Sequence, residues 1–461
     1  MAQGNSVTEP AQQLAGFAAQ TRYEDLPSEV IECAKMSILD TLAVTIAGSS
    51  QAGIGEVVNL VRGWGGAEES TILLHGGKVP APNAAFANGP MARALDMGDV
   101  HEEGGHVGEY ILPALLAAAE LRAKRGQPVT GKELITAYAL GGEVLARIGL
   151  GCRAISAAAG KNPQMGSFGA AAAVAKLLDF DGDRIWNALG IAYVGISCLD
   201  SQMYHEGSLM CRVHHACVCR DGLLAALLTE KGITGVKQIF TGDPNFYLLY
   251  YPGSGDNARI TSDLGAKWEF AEGTMIKPYM CCKLFHAAIY AVTSIIKDNG
   301  LDPLTIQEID VRVCGAAPQP FFAQPNYNPQ TFVACQFSAP WSIASGAIDG
   351  HLFLDSYTDI FREDVRKMTH KVKFIFDKSL PKWPVIVTIT VGGKQYTKRV
   401  DYCIGHPRNP VDWEWLREKL DLCAAHSVTT IPEGILKQLA TTIRDLEEVG
   451  DTGEIIGLLT P

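Results

Sequence analysis

Residues 385–400 read VIVTITVGGKQYTKRV, and this stretch decides the fold class. Apolar and polar residues alternate on both sides of Gly392 and Gly393, a pattern typical of two half-buried strands joined by a tight turn. Residues 308–314 (EIDVRVC) and 370–376 (HKVKFIF) show the same period of two. The sequence therefore predicts a hairpin with further strands in this part of the chain.

Most of the remaining chain has apolar residues at helical spacing. The predicted helical segments are residues 30–42, 111–121, 133–148, 169–178, 413–422 and 434–446, with two more, 338–348 and 356–368, between the strands. Strand patterns are scarce before residue 265. We therefore expect a mainly α protein with an α+β domain. A large all-helical domain would comprise residues 1–268 and 402–461, and a smaller α+β lid domain residues 269–401.

The 461 residues include 47% apolar side chains and carry a formal net charge of −11. A chain of this length and apolar content can form two or three folding units. Its acidic balance argues against a nucleic-acid or membrane-surface binder. The first residues, MAQGNSVTEP, lack the apolar segment of an export signal, and no uncharged apolar run reaches about 18 residues. We therefore expect a cytoplasmic protein whose twelve cysteines are free thiols.

Two familiar motifs occur only in part. HEEGGH at 101–106 resembles a zinc-protease motif, but its histidines are five residues apart instead of four and its glycines disfavour a helix. GLGCRA at 149–154 resembles a dinucleotide-binding fingerprint, but it follows a helical pattern rather than a strand. Asp96, Asp99 and His101 could still bind a metal from a loop.

Several blocks along the chain resemble the signature of the MmgE/PrpD family, which includes 2-methylcitrate dehydratase, cis-aconitate decarboxylase and iminodisuccinate epimerase. The blocks are NG at 88–89, ALDMGDVH at 94–101, His106, ILPA at 111–114, GSFGAA at 166–171, CRVH at 211–214, RDG at 220–222, IKPYMCC at 276–282, His286, FSAPW at 337–341 and GHPRNP at 405–410. They occur in family order across nearly the whole chain. Together they are much more specific than any one block.

This resemblance implies a helical domain with a smaller α+β lid, assembled as a homodimer. It also implies chemistry on a small carboxylate substrate, with no metal ion and no organic cofactor. The activity would be that of a lyase (a dehydratase or decarboxylase) or an isomerase that moves a proton next to a carboxylate. Removing this proton builds negative charge on the carboxylate, and fixed cations must stabilise that charge. A positioned acid–base group must move the proton.

The matched positions imply roles for individual residues. His106 would be the acid–base group, and Lys277 the carboxylate partner or proton donor. Asp96 would orient a neighbouring group. Cys211 stands where the family has a lysine, so it is either a reactive thiolate with a catalytic role or an inert thiol, and we favour the inert thiol.

The resemblance also implies a set of substrate-binding residues, namely Arg212, His214, His101 and His286. The matched blocks come from both expected domains, and binding sites often lie between domains. We therefore expect the lid to close a cleft that Lys277 and His286 line from one side and His106 from the other.

The chain departs from the family pattern at several polar positions. Gly160 stands where the family has a histidine, Cys211 replaces a lysine, and Val100 replaces a threonine or tyrosine. Pro318 aligns with a catalytic tyrosine of some members, and Gly98 with the first aspartate of a pair. A cavity that loses a lysine and a histidine should bind a less anionic substrate. We therefore expect a substrate other than methylcitrate or aconitate.

Two other classes of function remain open. The loss of several polar residues would fit a catalytically inactive relative that acts as a binding or assembly protein, although His106, Lys277 and Arg212 persist. The other class is a metal-dependent hydrolase that uses the carboxylates and imidazole at positions 96, 99 and 101.

Overall fold

A computed structural model describes residues 8–152, 163–195, 202–316 and 319–461. In this part of the chain the helices are α1 Pro10–Gln20, α2 Ser28–Gly48, α3 Ile54–Trp64, α4 Ala81–Arg93, α5 Gly108–Lys124, α6 Gly131–Gly151, α7 Pro163–Leu177, α8 Gly182–Gly195, α9 Gln202–Glu206, α10 Met210–Glu230, α11 Phe246–Tyr250, α12 Asn257–Thr261, α13 Glu269–Gly273, α14 His286–Asn299, α15 Pro320–Ala323, α16 Phe332–Gln336, α17 Ala339–Asp349, α18 Glu363–Thr369, α19 Trp413–Ala424, α20 Glu433–Arg444 and α21 Gly453–Leu458. The strands are β1 Ser70–Thr71, β2 Lys78–Val79, β3 Val100–His101, β4 Gly105–His106, β5 Thr274–Met275, β6 Ile306–Cys314, β7 Val372–Asp377, β8 Val385–Val391 and β9 Lys394–Val400. The prediction of a mainly α protein with an α+β part is confirmed.

The largest sheet has four strands in the order β7-β6-β8-β9. Strand β6 is parallel to β7 and antiparallel to β8, which is antiparallel to β9. The β8–β9 hairpin turns at Gly392 and Gly393, whose φ values are 57° and 76°. A two-residue type I′ turn needs such left-handed values, which glycine adopts without strain. The predicted hairpin is therefore confirmed.

The helical part is built around α4, α5, α6, α7 and α10, which pack against one another. Among the described residues, α6 is the one helix with the length and hydropathy to cross a membrane, but 94% of its apolar window is buried. Packing inside the protein therefore accounts for its apolar character. Near the end of the chain, α19 returns to pack against α2.

The sequence pattern fails to predict two features of the fold. Strands β1 to β4 interrupt the helical part, but each has only two residues, too few to show an alternating pattern. The helix expected at 356–368 is broken into a 3-10 turn, Leu354–Tyr357, and the later helix α18. The ψ angle of Arg362 is 135°, which is extended rather than helical, so the helical backbone of α18 begins only after this residue.

A small sheet positions the residues described below. Strand β3 pairs with β4 on one side and with β5 on the other. The segment that leads into Lys277 therefore lies close to the strand that ends at His106. A hydrogen bond also joins this segment to the C-terminal region: the Ile276 N–H donates to the Gly405 carbonyl oxygen at 2.9 Å.

We expect Gly405→Ala to lower the free energy of unfolding by about 1–3 kcal/mol. Gly405 has a φ of 90°, and a Cβ there would lie 1.9 Å from the Ile276 carbonyl oxygen. The backbone before Lys277 would have to shift. Chemical denaturation measures the effect, and Gly434→Ala is the matched control because nothing lies within 4 Å of a Cβ added there. Equal unfolding midpoints for the two variants would contradict this prediction.

Candidate active site

A buried group of ionisable side chains lies where α4, β4 and α5 meet. Arg93 ends α4, His106 ends β4, and Glu109 lies in the first turn of α5. Asp96 follows α4 with a φ of 49°, a left-handed conformation that aspartate adopts more readily than most residues. Lys277 joins them from the segment after β5. We call these five residues the charged cluster.

One carboxylate oxygen of Asp96 contacts three basic groups. Its Oδ1 lies 2.5 Å from Arg93 Nη1, 2.8 Å from Lys277 Nζ and 3.5 Å from His106 Nε2. Burial by itself would raise the pKa of Asp96, but Arg93 and Lys277 outweigh it and hold the pKa below its usual value. The carboxylate is therefore ionised at neutral pH.

Glu109 is shared by two imidazole rings. Its Oε2 lies 3.2 Å from His106 Nδ1, 3.1 Å from His215 Nδ1 and 3.7 Å from Arg93 Nε. The ring N–H groups are not aligned with this oxygen, so the contacts are electrostatic rather than well-formed hydrogen bonds. Burial opposes ionisation of Glu109, yet His106 and Arg93 keep its pKa well below the usual value. His215 Nε2 lies 3.4 Å from Tyr110 Oη.

His106 is the most exposed member of the charged cluster. Its side chain is 15% exposed, whereas the other four are 3% exposed or less. Burial lowers the pKa of His106, although Glu109 acts in the opposite direction. The imidazole is therefore neutral at pH 7 and can accept a proton. Because its nitrogens face Asp96 and Glu109, two carboxylates would stabilise the imidazolium that forms.

His106 lines a partly open cavity whose wall comes from both parts of the chain. The helical part contributes Arg93 and Asp96, and the α+β part contributes Phe337 and Trp383. Small-molecule sites commonly combine an apolar wall with a few converging polar groups in this way. The cavity is therefore the candidate active site.

Among the predicted site residues, Asp96, His101 and His106 line the cavity. The expectation that His101 binds substrate is nevertheless not supported. Its Nδ1 accepts hydrogen bonds from two main-chain N–H groups of its own turn. Its Nε2 donates a hydrogen bond to the main-chain carbonyl oxygen of Glu269 at 2.9 Å. Burial lowers the pKa of His101 to about 4. Both nitrogens of this neutral ring are used, so His101 fixes the loop.

Lys277 belongs to the charged cluster but does not line the cavity. Its side chain is fully buried, and its Nζ donates to the carboxylate and the main-chain oxygen of Asp96. In this structure Lys277 therefore contacts the carboxylate of Asp96, and its ammonium group does not reach the cavity wall. The structure does bring Lys277 and His106 together, since both lie within 3.5 Å of one oxygen.

Cys211 and Arg212 are also outside the cavity wall. Cys211 Sγ is buried 3.7 Å from Arg93 Nη2, and burial raises the pKa of this thiol to about 11. It is therefore a protonated neighbour of the charged cluster, not a reactive thiolate. Arg212 donates to the Ala52 oxygen at 2.5 Å and lies over the ring of Phe332. With these contacts, and away from the cavity wall, Arg212 gives no support to the expectation that it binds substrate.

The two other predicted histidines are held by main-chain oxygens. His214 Nδ1 lies 2.9 Å from the Met210 oxygen, and His286 Nε2 lies 3.1 Å from the Cys281 oxygen. Burial lowers the pKa of each imidazole to about 3. Neither lines the cavity, so the expectation that they bind substrate is not supported. At the start of α14, the His286 ring turns back toward its own chain.

The residues of the metal hypothesis have separate partners. Asp99 accepts hydrogen bonds from Ser37 Oγ at 2.6 Å and from the Gly108 N–H at 2.8 Å, and burial raises its pKa to about 7. Asp96 and His101 have the contacts given above. Within the described ranges, no three His, Cys, Asp or Glu side chains form a group that could hold a metal ion. The hydrolase hypothesis gains no support from this arrangement.

Sequence reasoning missed four residues of the site. Arg93 and Glu109 are ionisable residues inside apolar helical stretches, a signal that a buried charge needs a partner nearby. His215 follows His214 directly, and only the orientation of α10 decides which imidazole faces Glu109. Lys283, which also lines the cavity, lies just beyond a matched block. Of the departures from the family pattern, the glycine at 160 and the proline at 318 lie outside the described residues.

Two family models match the chain, the MmgE/PrpD N-terminal domain over residues 12–258 and the MmgE/PrpD C-terminal domain over residues 279–444. The chain is 26% identical to a cis-aconitate decarboxylase-like protein, oryM, of Aspergillus oryzae, over 97% of this chain and 96% of the relative. It is 25% identical to the cis-aconitate decarboxylase of Aspergillus terreus, over 99% and 97% of the two chains. It is also 25% identical to the cis-aconitate decarboxylase of Homo sapiens, over 94% and 91%.

Proposed function

Because this chain belongs to the MmgE/PrpD family, we propose that it is a lyase that moves a proton at the carbon next to a carboxylate. The reaction is a dehydration or a decarboxylation of a small carboxylate substrate, and it uses neither a metal ion nor an organic cofactor. The relatives named as cis-aconitate decarboxylases support lyase chemistry. An epimerisation would use the same proton transfer with return of the proton to the other face.

The position of His106 carries this proposal. It is the partly exposed member of an otherwise buried charged cluster, it lines the cavity, and both of its nitrogens face carboxylates. A neutral imidazole that already faces two ionised carboxylates, which stabilise its protonated form, is suited to general acid–base catalysis near pH 7.

The proton transfer can be written for either lyase reaction. In a dehydration, His106 removes the proton next to the carboxylate, and the electron pair of that C–H bond forms the C=C bond. The hydroxyl group leaves with the C–O electron pair and takes up the proton from the His106 imidazolium, which forms water and restores the neutral imidazole. In a decarboxylation, the C–C bond to the departing carbon dioxide breaks, and its electron pair accepts a proton that the neutral His106 imidazole has first taken up from solvent.

The rest of the charged cluster supports the change in charge at His106. Asp96 and Glu109 stabilise the imidazolium, as a carboxylate does when it faces a catalytic histidine. Arg93 and Lys277 keep these carboxylates ionised and fixed in place. None of the four has to move during the reaction, so the electrostatic environment is organised in advance.

A panel assay with the purified protein tests the proposed function. The compounds are cis-aconitate, 2-methylcitrate, iminodisuccinate and β-hydroxy-β-phenylpropanoate, and NMR identifies the products. Turnover of at least one compound that is lost in His106→Gln supports the proposal. No turnover of any compound would contradict it and favour the inactive-relative hypothesis.

We expect Cys211→Ser to retain most of the activity. The thiol is buried and protonated, so replacing sulfur with oxygen removes no acid–base group. Its loss of kcat should be far smaller than the roughly 10²-fold expected for a positioned proton-transfer residue. Steady-state kinetics on the best compound of the panel measure this. A dead Cys211→Ser variant with an intact fold would place the chemistry on the thiol instead.

A further inference from the structure

Lys283 is a cavity residue to which the proposed proton transfer gives no role. It begins the 3-10 turn Lys283–Phe285, and its side chain is partly exposed. Its Nζ donates to the main-chain oxygens of Glu102 at 3.1 Å and His101 at 3.5 Å. The indole ring of Trp383 covers the ammonium group, with its centroid 4.3 Å from Nζ.

The ammonium group of Lys283 has a donor to spare. A lysine carries three N–H donors, and the two main-chain oxygens use two of them. Arg93, which also lines the cavity, is already paired with Asp96 and lies close to Glu109. Within the described ranges, Lys283 is therefore the lysine or arginine of this cavity that has no carboxylate within 4.0 Å.

Lys283 and His106 lie on neighbouring parts of the cavity wall. Lys283 is bonded to the main chain at the end of β3, and β3 pairs with β4, which ends at His106. Neighbouring strands are about 4.8 Å apart. Lys283 and His106 line the same cavity, so a small carboxylate bound to Lys283 would share this cavity with the imidazole.

Much of the remaining wall suits an uncharged group. It is formed by the side chains of Val100, Tyr204, Leu284, Phe321 and Phe337. Apart from the Tyr204 hydroxyl, none of these side chains can donate a hydrogen bond to a second or third carboxylate. Burying an unpaired carboxylate against such a wall is costly, so a tricarboxylate fits this cavity poorly.

We propose that Lys283 binds the single carboxylate of the substrate, which is a monocarboxylate with an apolar or aromatic body. This inference rests on the proposed lyase function and names its substrate class. In a dehydration, the carboxylate held by Lys283 is next to the carbon that loses its proton. The ammonium group then stabilises the negative charge that builds on this carboxylate as His106 removes the proton.

The proposal has a pH dependence with a definite sign. Desolvation by the surrounding protein lowers the pKa of Lys283 to about 8, and Lys382 acts in the same direction, whereas Glu102, Glu103 and Cys282 raise it. Carboxylate binding needs the charged ammonium, which predominates below the pKa. The affinity should therefore fall as the pH rises through about 8.

Calorimetric titration with benzoate, phenylacetate and trans-cinnamate tests the proposal. Lys283→Met removes the charge and keeps an apolar stem, and Lys283→Arg keeps the charge. Lys382→Met is the matched control, because Lys382 also lies 4.3 Å from the Trp383 ring but is paired with Glu103 at 2.9 Å and does not line the cavity.

At least one of the three probes should bind the wild-type protein and Lys382→Met with Kd values that agree within about threefold. Lys283→Met should bind it at least about tenfold more weakly, because a charged hydrogen bond is lost, and Lys283→Arg should bind more tightly than Lys283→Met. Comparable binding by Lys283→Met, tighter binding of cis-aconitate than of every probe, or no saturable binding overturns the proposal. Because the titration needs no turnover, its failure is distinguishable from a failure of the proposed lyase function.

Discussion

The variant His106→Gln should lower kcat/KM by about 10²- to 10⁴-fold, the range expected when a positioned acid–base group is removed. Glutamine keeps a polar side chain but cannot take up a proton. The compound of the panel with the highest turnover provides the assay, and circular dichroism checks that the variant is folded.

A matched variant separates this effect from the general loss of a histidine. His351 is 52% exposed, is paired with Asp355, and does not line the cavity. His351→Gln should therefore have the kcat/KM of the wild-type protein. Equal activities for His106→Gln and His351→Gln would show that His106 does not move the proton.

The variant Lys277→Met should lower the free energy of unfolding by about 1.5–3 kcal/mol, since Asp96 loses one of its two charged hydrogen-bonding partners. Asp96 would keep Arg93 but lose the 2.8 Å contact with Lys277 Nζ. The activity should also fall by about 10²-fold or more, because Asp96 would no longer be fixed beside His106. Urea denaturation and steady-state kinetics measure the two effects.

Two further measurements show whether Lys277 positions the site or only stabilises the fold. Lys277 lowers the pKa of His106, so in Lys277→Met the acidic limb of the pH profile should move to higher pH. Lys267→Met is the stability control, because Lys267 is 49% exposed and paired with Glu269, and an exposed pair contributes at most about 1 kcal/mol. An unshifted pH profile, or equal stability losses for the two lysine variants, would contradict this assignment.

Local patterns in the sequence were enough to predict most of the architecture. The β8–β9 hairpin follows from strict alternation around Gly392 and Gly393, and α2 follows from the helical spacing of apolar residues over 30–42. Such patterns depend on residues that are close in sequence. The strands β3, β4 and β5 have two residues each and form through pairing between distant segments, so no local pattern reveals them.

The candidate site was predictable only in part, for a related reason. The matched sequence blocks predicted Asp96, His106 and Lys277 as site residues. In the structure, His106 and Lys277 both contact the same carboxylate oxygen of Asp96. They could not show that Lys277 is fully buried, or that His215 and not His214 faces Glu109. Depth and side-chain direction are set by packing between helices that are far apart in sequence.

Turnover in D2O, followed by NMR, tests most directly the central claim that His106 moves a proton at the carbon next to a carboxylate. The wild-type protein and Lys382→Met should place deuterium on that carbon, in the product of a decarboxylation or in the recovered substrate of a reversible dehydration. At the same protein concentration, His106→Gln should place none there. Deuterium incorporation by His106→Gln at the wild-type rate would contradict the claim, because another group would then be moving the proton.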